Sequence, residues 1–161
     1  RPAQLGAIGD LHFVLDREQV ADDLIVVAGD NLFSQDLRAF GEYCREMNTP
    51  VLGIHDVGDL DLVKRYSVVD VDAQSRIVHF EEKPRNPSST WIGIALYFYP
   101  KTSFSLIREY IREENNPDQP GRLIQWMARR VPVHAWIVRG NWYDIGSKET
   151  LADADRFFAS Q

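Results

Sequence analysis

The sequence predicts an α/β fold. Two patterns alternate along its 161 residues: apolar residues at helical spacing, and short β-branched apolar runs bounded by turn signals. The apolar fraction, 44%, suffices for a sizeable core at this length. No linker, internal repeat or low-complexity segment interrupts the chain, so one domain over residues 1–161 is expected.

The elements follow in order. Leu5, Ile8, Leu11 and Leu15 recur at helical spacing and predict a first helix. Residues 24–28 form a wholly apolar run, the pattern of a strand buried on both faces. Ser34 is the expected N-cap of a helix whose inner face is Leu37, Phe40, Cys44 and Met47. Residues 50–54 read as another strand. Residues 66–71 and 76–82 flank the polar turn 72–75 and read as a hairpin. Lys83-Pro84 ends its second strand, because proline offers no N–H to the ladder. Residues 91–99 read as a long central strand and 133–138 as a further one. Phe104, Ile107 and Ile111 mark a helix, and Leu123, Ile124 and Met127 a shorter one. Ser147 can cap a last helix, with Leu151, Ala154, Phe157 and Phe158 on its buried face.

Charge and composition narrow the partners. The net charge of −6 argues against non-specific binding to nucleic acid or anionic lipid. The aromatic residues form no stripe for base stacking, so nucleic acid is discounted. No apolar run approaches the roughly 20 residues of a membrane span. With Cys44 as the single cysteine no intrachain disulfide forms, and an intracellular, cytoplasmic setting is expected. Its place on a helical inner face marks Cys44 as core rather than nucleophile.

Several residues could carry chemistry. Asp30 ends the apolar run Val26-Val27-Ala28-Gly29, and ligands of open α/β sheets collect beyond the carboxyl ends of strands. A carboxylate there can hold Mg²⁺, which takes oxygen ligands plus substrate phosphates. Asp144 lies between a strand and a helix, and two aspartates from separate loops make a better site than one. Both positions also suit a turn or helix-dipole aspartate. Strand alternation puts Val78, Phe80 and Glu82 on the more apolar, inward face, and Ile77, His79 and Glu81 outward. An inward Glu82 needs donors, such as sugar hydroxyls or backbone N–H groups. Lys83 beside it offers a cation for a phosphate; a surface Glu-Lys pair is the plainer alternative. His12, His55, His79 and His134 lack metal-ligand spacing. Asp59-Leu60-Asp61 and Asp70-Val71-Asp72 look like metal-binding Asp-x-Asp pairs, but turn aspartates explain both more simply.

Six segments together resemble the sugar-phosphate nucleotidyltransferase family, which includes glucose-1-phosphate thymidylyl- and uridylyltransferases. They are Leu5-Gly6-Ala7-Ile8-Gly9-Asp10, Gly29-Asp30-Asn31, Tyr66-Ser67-Val68-Val69-Asp70, Phe80-Glu81-Glu82-Lys83-Pro84, Ala95-Leu96-Tyr97-Phe98-Tyr99 and Trp142-Tyr143-Asp144-Ile145-Gly146. Their order and spacing carry the resemblance across nearly the whole chain. It implies a three-layer α/β/α sandwich of the Rossmann-like nucleotide-diphospho-sugar transferase type, with a mixed, mostly parallel sheet. It implies a nucleoside triphosphate and a sugar 1-phosphate as substrates and Mg²⁺ as cofactor, with homo-oligomer formation left open. Asp30 and Asp144 would hold the catalytic Mg²⁺. Glu82 would bind sugar hydroxyls, Lys83 the sugar phosphate, and Gly6 would lie against the base. Asn31 and Gly146 belong to the same loops. Ser67 stands where the family usually has glycine, close to the sugar. In the family's reaction the sugar phosphate attacks the α-phosphorus in line and pyrophosphate leaves.

The family also begins with a strand and a Gly-rich loop carrying an arginine, and no Gly-x-Gly occurs in these residues. The expectation is therefore an N-terminally incomplete family domain, its C-terminal two-thirds, silent in turnover by itself. The run 24–28 would then have an open edge, expected to be covered by further chain, another subunit or a rearranged segment. Two alternatives are a non-catalytic nucleotide-sugar-binding or regulatory member of the fold, and a nucleotide-sugar-dependent glycosyltransferase. The second would put metal at Asp59-Asp61 or Asp70-Asp72.

Overall fold

The structure, a computed structural model, describes residues 5–160. The chain runs through α1 (Ala7–Arg17), β1 (Leu24–Val27), β2 (Asn31–Phe33), α2 (Arg38–Met47), β3 (Val51–Asp56), α3 (Leu60–Val63) and β4 (Ser67–Val71). It continues through β5 (Ile77–Glu82), β6 (Trp91–Tyr99), α4 (Phe104–Arg112), α5 (Pro120–Ala128), β7 (His134–Ile137), β8 (Trp142–Asp144) and α6 (Lys148–Phe158).

The main sheet has the order β1-β6-β3-β7. β3 and β7 pair parallel, whereas β6 runs antiparallel to both of its neighbours, β1 and β3. Three of the four strands thus point one way, giving the mixed, mostly parallel sheet the sequence predicts. β6 is central because both of its faces are apolar. Ile92, Ile94, Leu96 and Phe98 pack with Phe40 and Cys44 of α2. Tyr97 and Tyr99 pack on the other side with Ile8 and Leu15 of α1, Ile107 of α4 and Leu123 of α5. Helices on both faces make three layers. Each fully buried side chain of this size contributes about 1.5–3 kcal/mol. Cys44 is wholly buried, and burial pushes its thiol up to about 12, as a core residue requires.

Two small ribbons attach to this sandwich. The hairpin β4–β5 leans on β6, where the buried Ser67 Oγ accepts the Gly93 N–H at 3.1 Å. β2 and β8 form a second antiparallel pair. Unlike the hairpin, the β2–β8 pair was not legible in the sequence, because three residues carry too little alternation.

Four expectations change. Residues 24–28 do not form a strand buried on both faces: Ile25 is 47% and Val27 43% exposed. β1 is an edge strand, and no described segment pairs with its outer side. Ser34 does not cap α2. Its Oγ accepts the Asn141 N–H at 2.8 Å and its own N–H donates to the Asn141 carbonyl, so it ties β2 to β8. Asp36 receives the Arg38 N–H instead. Val78 is 63% exposed and Ile77 buried, because Val78 is bulged out of β5, unpaired between His79 and Ile77, which face Asp70 and Val71. Only the Phe80 and Glu82 end keeps its inward face. Ser147 caps the last helix, as read from the sequence, and the structure adds a reciprocal capping box with Thr150. Leu151 and Phe158 are nevertheless exposed, because α6 packs against the β8 ribbon rather than the main sheet.

Candidate active site

The chain leaves β1 through a tight turn in which the Asn31 N–H donates to the Ala28 carbonyl. That turn carries Asp30 out beyond the carboxyl end of β1. The ribbon then brings the other aspartate to it. Asn31 stands opposite Asp144, and the Ile145 N–H donates to the Asp30 carbonyl at 2.8 Å. Cross-strand partners share a face, so Asn31 and Asp144 project together. Trp142, two residues before Asp144, projects with them. The Asn31 amide donates to Asp30 Oδ1 at 2.9 Å and accepts the Trp142 indole N–H at 2.7 Å. This relay fixes the orientation of the Asn31 amide and ties the Asp30 carboxylate to the residue that stands opposite Asp144. Gly146 lies close by: a Cβ there would sit 3.4 Å from Asp144 Oδ1.

Tyr66 joins this corner to the Glu82–Lys83 corner. Its ring meets Trp142 edge-on at 5.6 Å, and the Asp144 charge adds to burial in raising its phenol. Its carbonyl accepts the Lys83 N–H at 2.7 Å. Lys83 is exposed and holds a left-handed backbone, φ 48°. For a residue with a Cβ that conformation costs roughly 1–2 kcal/mol. Glu82 is half-buried, and burial raises its carboxyl while Arg122 and Lys83 pull it back. The inward placement expected from strand alternation therefore holds. Glu82 also raises the buried Tyr97 phenol, after burial itself.

Between Tyr97 and α1 lies an apolar cavity of about 140 Å³, lined by Ala7, Ile8, Val26, Ala28, Ala95 and Pro120 among others. Gly6 is the N-cap of α1 and directly precedes Ala7, one of the lining residues. Its φ is 75°, and a Cβ there would lie 2.7 Å from the Pro117 carbonyl oxygen. The same carbonyl accepts the Ile8 and Gly9 N–H groups, satisfying orphan donors of the helix N-terminus. Glycine at position 6 thus has a fold reason of its own, which the sequence did not show.

The two Asp-x-Asp segments serve turns. Asp59 caps α3 by accepting the Asp61 and Leu62 N–H groups. Asp72 accepts the Gln74 and Arg76 N–H groups in the hairpin turn, and Asp70 accepts the Ser88 hydroxyl. Among the described residues no group of three or more His, Cys, Asp or Glu side chains is placed to hold a metal ion. A cation at Asp30 and Asp144 would therefore have two protein carboxylates and take its other oxygens from phosphate and water. That donor set suits Mg²⁺, which keeps waters and binds through one or two carboxylates plus phosphates. Sequence reasoning missed Tyr66 and Trp142 as organising residues. Their role comes from pairings between distant segments, and no local pattern announces it.

Comparison with known proteins bears on this geometry. The nucleotidyl transferase family pattern matches residues 4–161. The chain belongs to that family. Among relatives of the family is the bifunctional protein GlmU of Methanocaldococcus jannaschii, 25% identical over 146 residues, covering 88% of this chain and 33% of that protein. Another is the glucose-1-phosphate adenylyltransferase of Thermosipho africanus, 25% identical over 129 residues, covering 77% of this chain and 31% of that protein. A UDP-glucose pyrophosphorylase solved with UDP-glucose superposes with a TM-score of 0.82 at 22% identity, covering 99% of this chain and 64% of that one. That likeness shows the shared fold. The chain thus spans about a third of the curated relatives it matches. The family and the mixed α/β fold were both expected from the sequence. Among the described residues no helix is long and apolar enough to cross a membrane.

Proposed function

We propose that this chain carries the sugar-phosphate side and the metal-binding aspartates of a nucleotidyltransferase that joins a nucleoside triphosphate to a sugar 1-phosphate. The observation that carries the reading is the convergence at Tyr66. One residue holds Lys83 through its backbone and touches Trp142 beside Asp144 through its ring. On this reading the two aspartates, Lys83 and Glu82 serve one site.

The roles follow from chemistry. Asp30 and Asp144 would hold Mg²⁺, which when bound neutralises the triphosphate charge. The Trp142–Asn31 relay keeps Asp30 aimed. Lys83 pairs with the sugar phosphate, and Glu82 accepts hydrogen bonds from sugar hydroxyls. The nucleobase enters the apolar cavity beside Gly6, with Gly146 leaving room at Asp144. Ser67 is buried with its hydroxyl on the Gly93 N–H, so it shapes the site through packing. Positioning and charge neutralisation then favour in-line attack of the sugar phosphate on the α-phosphorus, with pyrophosphate leaving. Turnover also needs donors for the leaving pyrophosphate. No Gly-x-Gly phosphate loop lies in these 161 residues, so this stretch alone is proposed to be silent in turnover. A single nucleotidyltransferase domain and a cytoplasmic setting belong to the same reading.

The glycosyltransferase reading loses support, since Asp59 and Asp72 are engaged by backbone N–H groups. A pyrophosphate-release assay with the common nucleoside triphosphates and glucose 1-phosphate tests the proposal. The expected result is release by a longer polypeptide that includes a family-type phosphate loop, and none by the 161 residues alone. No release by either, or robust release by the 161 residues, would sink it.

A further inference from the structure

We propose that Gly121 is a positioning residue: its missing side chain forms the slot in which the Glu82 carboxylate lies, and that slot sets recognition of the sugar hydroxyls of a sugar 1-phosphate. The inference rests on the reading above that Glu82 faces the sugar.

Gly121 is the second residue of α5 and is buried. A Cβ built there would lie 1.8 Å from Glu82 Oε1, 3.0 Å from Glu82 Cδ and 2.8 Å from Phe80 Cζ. No side chain fits while the carboxylate stays where it is. Backbone conformation does not demand glycine here, since the residue is helical with a negative φ, unlike Gly6 and Gly140. Helices disfavour glycine relative to alanine, so the position gives up helix stability for space. Of the other two helical glycines, a Cβ at Gly41 would meet nothing within 4 Å and one at Gly9 would meet the Leu5 Cβ at 2.9 Å.

The nature of the obstacle matters. The nearest atom is the far end of a flexible side chain rather than backbone. An alanine at position 121 therefore pushes the carboxylate aside, and the buried Phe80 ring, 2.8 Å from the new carbon, must also give way slightly. What it would displace is an acceptor with free capacity. Burial, Arg122 and Lys83 act on Glu82, and among the described residues no hydrogen bond contributes to its titration. A half-buried carboxylate in that state calls for donors from a ligand. Adjacent hydroxyls of a pyranose supply them, and their recognition demands that both oxygens be fixed in place. The slot does the fixing.

The test titrates α-D-glucose 1-phosphate, and separately inorganic phosphate, into the wild-type chain, Gly121→Ala, Glu82→Ala, Glu82→Asp and the double variant Gly121→Ala with Glu82→Asp. Calorimetry gives the affinities and thermal melts report folding. Gly121→Ala is expected to weaken glucose 1-phosphate by about tenfold or more, the loss of one or two hydrogen bonds to a charged group. Inorganic phosphate binding should stay close to wild type, while the melting midpoint falls modestly because the Phe80 ring must yield. The double variant, whose shorter carboxylate clears the new methyl group, should recover part of the loss relative to Gly121→Ala. Unchanged glucose 1-phosphate affinity in Gly121→Ala, with affinity lost in Glu82→Ala, overturns the slot and leaves the role of Glu82 standing. Unchanged affinity in Glu82→Ala overturns that role itself. Equal weakening of both ligands together with a lowered melt assigns Gly121 to packing alone and also overturns the proposal. Where wild type binds no glucose 1-phosphate, the Glu82 carboxyl titration read by carbon NMR decides. It should move back toward the ordinary glutamate range in Gly121→Ala, and no movement overturns the slot.

Discussion

The two carboxylate corners of the molecule are built in opposite ways. Asp30 is exposed and sits on a turn leading into a ribbon of three-residue strands, β2 and β8. Glu82 is half-buried, ending a six-residue strand and resting on the first turn of α5. At the first corner orientation comes from a hydrogen-bond relay, Trp142 to Asn31 to Asp30. At the second it comes from packing. The contrast suits the proposed roles: a hydrated cation, which brings its own waters, is served by an exposed carboxylate aimed by a hydrogen bond. Sugar hydroxyls need an acceptor held by its surroundings.

Substitutions separate the two designs. The largest effect is expected from Asp30→Ala or Asp144→Ala in a polypeptide that turns over. Each should lower the rate by about 10²–10³ or more, as for loss of one preorganised electrostatic partner. Stability should change by no more than about 0.5 kcal/mol at the exposed Asp30. Steady-state kinetics and denaturant unfolding check both. Next is Trp142→Phe, which keeps an aromatic ring beside Tyr66 and His55 but removes the indole N–H. Metal affinity should fall by about 10–100-fold, as for other changes behind a metal ligand, with Mn²⁺ titration as the readout. An unchanged affinity would show that the relay does not aim Asp30.

The packed corner has a pH signature. Burial raises the Glu82 carboxyl above its ordinary 4.5. The folded state therefore binds that proton more tightly than the unfolded state. This group's contribution is most favourable below pH 4.5 and declines as pH rises from there through the raised value. Glu82→Gln should remove that decline. Urea unfolding of both proteins on either side of the window checks it, and parallel pH profiles would contradict it. The smallest effect belongs to Ser147→Ala, which removes the capping box of α6 at a cost of about 1 kcal/mol. Hydrogen exchange should quicken in α6 and stay unchanged in the main sheet.

Much of this was legible in the sequence, for identifiable reasons. β6 could be read because nine nearly continuous apolar residues have few homes other than a central strand. Ser147 could be read because a cap acts within one turn. Glu82 could be placed because alternation holds at its end of the hairpin. Val78 could not, because the bulge that exposes it is a property of the pairing rather than of either strand. The exposure of β1 was missed for a similar reason. An apolar run reports hydrophobicity, and whether neighbours cover it depends on the rest of the fold. Ser34 went to Asn141 rather than to a helix, and no local signal points across that distance. Tyr66, Trp142 and Gly121 share this character. Their parts in the site arise from contacts between remote segments.

The central claim is that Asp30 and Asp144 form one cation site. Paramagnetic broadening by substoichiometric Mn²⁺, read on the amide resonances of the isotope-labelled chain, tests it most directly. The account predicts selective loss of the resonances of residues 29–31 and 144–146, restored in Asp144→Ala. Broadening centred on Asp59–Asp61 or Asp70–Asp72, or broadening around Asp30 that survives Asp144→Ala, would contradict it.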